Sequence, residues 1–169
     1  MSLIDPFVQE FQHEMRTTRN TLARVPASDF TWKPHEKSYS FGQLASHIVE
    51  IPSWVPVTVG QDEFVMNPGE YQPWEARDAA DLLETFDRNV AAAAEQLAGL
   101  PDDKLMTTWT MKSGERVLFQ MPRMAVLRAF ILSHVIHHRG QLTAYLRLRD
   151  IPVPQTYGPT ADEPSSPVG

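Results

Sequence analysis

The chain has 169 residues and a formal charge of −6, with six histidines and no cysteine. That length suits a single domain with its own core, and the acidic balance disfavours nucleic acid or an anionic membrane surface as partner, since both attract a basic field. Without cysteine there is neither a disulfide framework nor a thiolate ligand, so a metal would have to be held by His, Asp, Glu or water.

Met1 to Pro6 shows no basic segment leading into an apolar run, and no later stretch approaches the ~20 apolar residues of a membrane span. The expected location is the cytoplasm. Ile4, Phe7, Phe11, Met15 and Leu22 recur at helical intervals behind Asp5 and Pro6, which predicts a first helix over 4–22. His13 points away from that stripe, toward solvent. Glu14 lies nearer the inward face, where it either helps orient a ligand or reaches water.

Residues 25–40 carry Pro26 and Pro34 and read as an ordered connection that sets Phe30 and Trp32 against the helices. Ser40 and Gln43 then have the spacing of a capping box, in which each side chain satisfies a backbone amide of the first turn. The second helix starts there, with Leu44, His47, Ile51 and Trp54 on one stripe, and Pro52 and Pro56 should kink or end it. Residues 58–77 contain Gly60, Pro68, Gly69 and Pro73, so a loop is expected, with Phe64, Tyr71 or Trp74 as candidates to line a pocket. Asp78 can cap a third helix whose stripe is Leu82, Phe86, Val90, Ala93 and Leu97, and Gly99 and Pro101 stop it.

Trp109 to Val117 is a run of β-favouring residues around Ser113-Gly114, which suits a small hairpin or a wide loop equally. Pro122 is placed for the first position of a fourth helix, one that is apolar nearly all round because Val126, Leu132, Val135 and Leu146 fall outside its main stripe. Such a helix buries more than one side, which suggests a subunit interface. Six arginines and no acid lie between Arg116 and Arg149. Arg128, Arg139 and Arg147 project away from His134, so ion pairs with acidic helices or a partner subunit are expected rather than nucleic-acid contacts.

The fourth helix carries the chemistry. At about 100° per residue, His134 and His138 stand one turn apart on one face, with Phe130, Gln141 and Tyr145 close by. An i, i+4 imidazole pair offers two nitrogens to one ion, and His47 on the second helix is the candidate third ligand. Glu50 and Gln43 share its face and can orient an imidazole, or face solvent. The alternative is a polar core cluster without metal, in which three converging imidazoles would be costly to bury unpaired.

Trp32 to Ser38, Leu44 to Ile48, Pro122-Arg123, the run His134-Val135-Ile136-His137-His138-Arg139-Gly140-Gln141-Leu142, and Tyr157 to Glu163 together resemble the DinB/YfiT-like family of metalloenzymes over about residues 5–163. The resemblance implies an all-α four-helix bundle, commonly a homodimer, with residues 1–163 as the domain and 164–169 as a mobile tail. It maps the family's three-histidine ligand set for a divalent metal onto His47, His134 and His138, and leaves His137 outside that set. Val135 stands where a His-Glu-x-x-His helix has its glutamate, which disfavours peptide hydrolysis.

Three protein ligands leave a coordination position for water or substrate, as catalytic sites do. Zinc and nickel head the expected metals, with iron and manganese also compatible. Because the similar family includes enzymes that use low-molecular-weight thiols, the leading expectation is transfer of such a thiol to a small-molecule substrate. Metal-dependent hydrolysis, with Glu50 or His35 moving protons, is a second reading, and a non-catalytic stress-related metal-binding dimer is a third. Gln141 and Tyr145 complete the candidates around the ion.

Overall fold

The fold is described from a computed structural model, which covers residues 2–67 and 69–164. Pro68 and most of the tail expected at 164–169 therefore lie outside the described residues. Helix α1 spans Ile4–Leu22, the range that its apolar spacing predicts, and buries Phe7, Phe11 and Met15 on its inner face. Helix α2, Phe41–Glu50, begins with the expected capping box, the Ser40 hydroxyl accepting from the Gln43 amide and the Gln43 side chain accepting from the Ser40 amide. Gly42 sits where a Cβ would meet the Phe30 ring at 3.0 Å, so the connection before α2 packs directly on the helix backbone. Ser40→Ala should cost about 1 kcal/mol, measured as a drop in the urea midpoint, and an unchanged midpoint would mean that the cap contributes nothing.

Pro52 ends the second helix as expected, whereas Pro56 falls within the first turn of the next helix and does not interrupt it. Pro52 sits in a 3₁₀ turn, Ile51–Ser53, that redirects the chain into a short helix α3, Trp54–Gly60. Helix α4, Ala79–Leu97, is capped by Asp78, whose carboxylate accepts from the Asp81 amide. After α5, Asp102–Met106, a hairpin forms from β2, Thr108–Ser113, and β3, Arg116–Pro122, and Gly114 takes the positive φ of 56° that its two-residue turn requires.

The all-α expectation needs correction. A strand β1, Glu63–Val65, lies inside the predicted loop and pairs in parallel with β2, giving a three-stranded sheet in the order β1-β2-β3. Pro122 ends β3 and caps the helix rather than opening it, so the helical run starts one residue late as α6, Arg123–Ala125. It continues through a π-helical segment, Val126–Leu132, into α7, Ser133–Leu148.

Helices α1 and α2 each pack against both α4 and α7, around one core that includes Phe11, Phe41, Leu44, Phe86, Ile131 and Leu142. A second, smaller cluster joins Trp109, Met111 and Val126 under the sheet. Val126, Leu132, Val135 and Leu146 are all buried within this one chain. The apolar character of the fourth predicted helix is therefore satisfied without a partner, which removes that argument for a subunit interface. Among the described residues, no helix is long and apolar enough to cross a membrane.

Candidate metal centre

Helix α2 and helix α7 face each other across the core, and that contact brings His47 against His134 and His138. Their ring centroids lie 4.7 to 5.0 Å apart, and one nitrogen from each falls within 4.8 Å of the others, a grouping that can hold a metal ion. All three rings are half-buried. Partners fix two of them. His138 Nδ1–H donates to Gln141 Oε1 at 2.7 Å, and His134 Nδ1–H donates to the Phe130 carbonyl at 3.2 Å. The unprotonated nitrogen of each neutral ring is then Nε2.

The π segment contributes to this arrangement. Widening the helix shifts backbone bonding from i+4 to i+5, and Phe130, inside that segment, offers its carbonyl to the side chain one turn on. The aromatic ring of Phe130 meanwhile packs 5.3 Å from Trp54.

His47 Nε2 lies 3.2 Å from His134 Nε2. With the His134 proton on Nδ1, that approach requires either a proton on His47 or a cation between two lone pairs. A tetrahedral ion about 2.0–2.1 Å from each nitrogen separates neighbouring donors by roughly 3.3 Å. The His47–His134 spacing of 3.2 Å matches that separation, and the nitrogen offered by His138 lies within 4.8 Å of both.

Burial and the neighbouring imidazoles push His47 down to about 4. Burial, with the neighbouring His138, also lowers His134, and burial lowers His138 despite the Gln141 bond. All three are neutral at neutral pH, the state that binds metal. Free imidazole titrates near 6.5, so between that value and about 4 the unfolded chain binds more protons than the folded one, and stability rises with pH across this window. For metal-free protein the urea midpoint should therefore fall as pH drops from about 6.5 to 4, and His47→Gln should flatten that slope. The lowered carboxylates of Asp29, Asp81 and Asp162 act only below this range. A flat profile in the wild type would show that the imidazoles are not held neutral by the fold.

Other expected residues have separate placements. Tyr145 donates its hydroxyl to the Tyr39 carbonyl at 3.2 Å and lines a groove with His138 and Gln141. Glu50 accepts from the Tyr71 hydroxyl at 2.6 Å. His35 is exposed in a surface turn where its Nδ1 accepts from the Lys37 amide, and it lines none of the cavities that adjoin the histidines. His137 is exposed beside the His138 ring, and His13 faces solvent as expected. Glu14 is buried away from the histidines in an ion pair with Arg139 at 2.7 Å. Tyr157 joins that pair instead of the histidine cleft, its hydroxyl accepting from Arg139 and donating to Glu14. Arg128 pairs with Glu10 and Arg147 with Asp162, which meets the expectation of ion pairs.

Two cavities meet at His47 and Tyr71. One of about 110 Å³ has a mixed lining, the more polar of the two, with Gln43 and Glu75 among its walls. The other, about 210 Å³, is apolar and also touches His134. Of the loop candidates, Tyr71 lines both cavities and Trp74 the polar one, while Phe64 packs behind Trp54. Met66 and Met111, which the sequence reading missed, line the apolar cavity. Only the pairing of β1 with β2 brings them there, and a three-residue strand carries no periodic signal.

A model of the DinB family matches residues 1–167. The chain is 26% identical over 164 residues to the uncharacterized protein YrdA of Bacillus subtilis strain 168, covering 95% of this chain and 91% of that one. Among solved structures, a DinB-like protein from Bacillus cereus ATCC 10987 superposes with a TM-score of 0.70 at 22% identity, over 89% of this chain and 95% of that chain. The DinB-like protein YjoA from Bacillus subtilis gives 0.66 at 19% identity, over 94% and 99%. These two likenesses are of fold.

Proposed function

Because the chain belongs to the DinB family, we propose that it is a metal-dependent enzyme built on a four-helix bundle, its divalent ion held by His47, His134 and His138. The observation that carries the reading is the 3.2 Å approach of the His47 and His134 Nε2 atoms, made while the only proton of a neutral His134 ring is given to Phe130. A bound ion supplies Lewis acidity at the positions that three protein ligands leave over. Zinc or nickel suits three imidazoles best, and iron or manganese accepts the same donors less well.

The reaction assigned is transfer of a low-molecular-weight thiol to a small electrophile. The chain has no cysteine, so the sulfur has to arrive on a cosubstrate, and the cavities on either side of His47 give room for two partners. The sulfur–carbon bond forms as the leaving group departs with its bonding pair, and the thiol proton passes to solvent. Within the protein, Gln141 and the Phe130 carbonyl aim the rings, while Trp54 and Phe130 keep water from one side of the cleft. Hydrolysis is the weaker reading, because Glu50 already holds the Tyr71 hydroxyl and His35 sits in a surface turn.

The proposal includes a cytoplasmic homodimer of single-domain chains, residues 1–163, which light scattering would test. Protein purified without a histidine tag should contain close to one ion per chain and consume thiol in the presence of an electrophile, and a chelator should stop that consumption. No ion even after reconstitution would remove the metalloenzyme reading. An ion whose removal only melts the protein, with no thiol chemistry, would leave a non-catalytic, stress-related metal-binding dimer.

A further inference from the structure

Besides Tyr71 and the two histidines, the apolar cavity at His47 and His134 is walled by five side chains from four separate parts of the chain: Ile51 and Trp54 at the α2–α3 junction, Met66 just after β1, Met111 on β2 and Phe130 in the π segment. Ile51 belongs to the main core and Trp54 packs against it, yet Trp54, Met66 and Phe130 remain half-exposed around the cavity. Trp54 and Phe130 meet edge to face at 62°, which leaves ring surface toward the space between them and the two methionines.

From this geometry we infer that the cavity binds a compact, uncharged aromatic group and presents its substituent to the edge shared by His47 and His134. The size suits one ring. A cavity of about 150 Å³ lined by aliphatic and aromatic side chains takes benzene. At about 210 Å³, this one has room for a single six-membered ring with a short substituent. The lining sets the charge. No Lys or Arg reaches it, and its one hydroxyl, on Tyr71, is already donated to Glu50. In metal-free protein, where the His47 proton goes to His134, a carboxylate or phosphate would sit there without a donor, at the cost of its hydration. Thioether side chains suit the role because their sulfurs pack favourably on ring edges and adapt to different substituents. The glutamate and glutamine of the other cavity give the polar partner a separate place.

That the aromatic group belongs to the electrophile rests on the thiol-transfer reading, but its binding does not, and the test keeps the two apart. 4-Fluorotoluene is titrated into chelator-treated protein and into zinc-loaded protein, observed by fluorine NMR and by the methyl signals of the methionines, with 4-fluorobenzoate as the charged comparison. Saturable one-to-one binding is expected with and without zinc, with the Met66 and Met111 methyl signals shifting while those of Met15, in the main core, and exposed Met106 stay in place. Met66→Trp, which fills the cavity from its rim, should weaken binding about tenfold or more, and 4-fluorobenzoate should bind metal-free protein at least about tenfold less well. Unmoved Met66 and Met111 signals in the wild type would overturn the inference whatever the variant does, as would equal binding of 4-fluorotoluene and 4-fluorobenzoate to metal-free protein. Zinc binding without toluene binding would remove this inference alone, and toluene binding without zinc binding would remove only the metal reading.

Discussion

Alanine at His138 is expected to lower zinc affinity more than a hundredfold, with alanine at His47 or His134 doing the same. Structural zinc sites with four ligands hold their ion by about 10–16 kcal/mol. One ligand in three or four therefore accounts for roughly 3 kcal/mol, and every 1.4 kcal/mol is a factor of ten. Two comparisons make the result specific. Gln141→Ala removes the acceptor that keeps the His138 proton on Nδ1, leaving the ligand present but poorly aimed, and should weaken affinity about 10–100-fold. His137→Ala changes an exposed ring outside the group and should leave affinity as it is. Competition with a chromophoric chelator at pH 7.5 measures all five variants. If His137→Ala lost as much as His138→Ala, the ion would be held elsewhere than at the facing Nε2 atoms.

Much of this site was legible in the sequence because it depends on helical spacing. His134 and His138 repeat at i, i+4, Gln141 follows three residues on, and His47 shares a stripe with Leu44 and Ile51, so the inward faces follow from the period alone. The capping box at Ser40, the Asp78 cap and the bounds of α1 were equally readable, each depending on residues within one turn. What escaped depends on contacts distant in sequence. Strand β1 is three residues long with little burial contrast, and its partner lies some forty-seven positions away, Glu63 opposite Thr110. The π segment escaped for another reason: apart from Arg128, Val126 to Leu132 is apolar throughout, so a change of period leaves little trace in the pattern. These two features seat Met66, Met111 and Phe130, so the three-histidine group could be read in advance while the cavity next to it could not. The same limit misdirected the dimer argument. An all-round apolar helix demands burial, and here the sheet and α1 supply it within the chain.

Arg139 ties these levels together, and its removal should have the largest effect on stability. It is 2% exposed and donates to the Glu14 carboxylate at 2.7 Å, to the Glu14 carbonyl and Thr18 hydroxyl at 3.2 Å each, and to the Tyr157 hydroxyl at 2.7 Å. Arg139→Ala strands a buried carboxylate with only the Tyr157 hydroxyl to solvate it, which should cost about 3–5 kcal/mol. In a domain whose whole stability is about 5–15 kcal/mol, much of the protein could unfold. The double variant Glu14→Leu with Arg139→Met removes both charges at similar volume and should recover most of the loss, since an apolar pair avoids the desolvation of two ions. Urea unfolding of the two single variants and the double variant measures the cycle. A loss under about 1 kcal/mol for Arg139→Ala would place this pair with ordinary surface contacts. The consequence for the metal centre follows from helix geometry: Arg139 is about 100° around α7 from His138, so locking it onto α1 fixes the rotation that turns His134 and His138 toward His47. Restoring stability with the apolar pair should therefore restore zinc affinity too, and a stable double variant that bound zinc a hundredfold less well would show that the charges themselves, and not the helix rotation they hold, support the site.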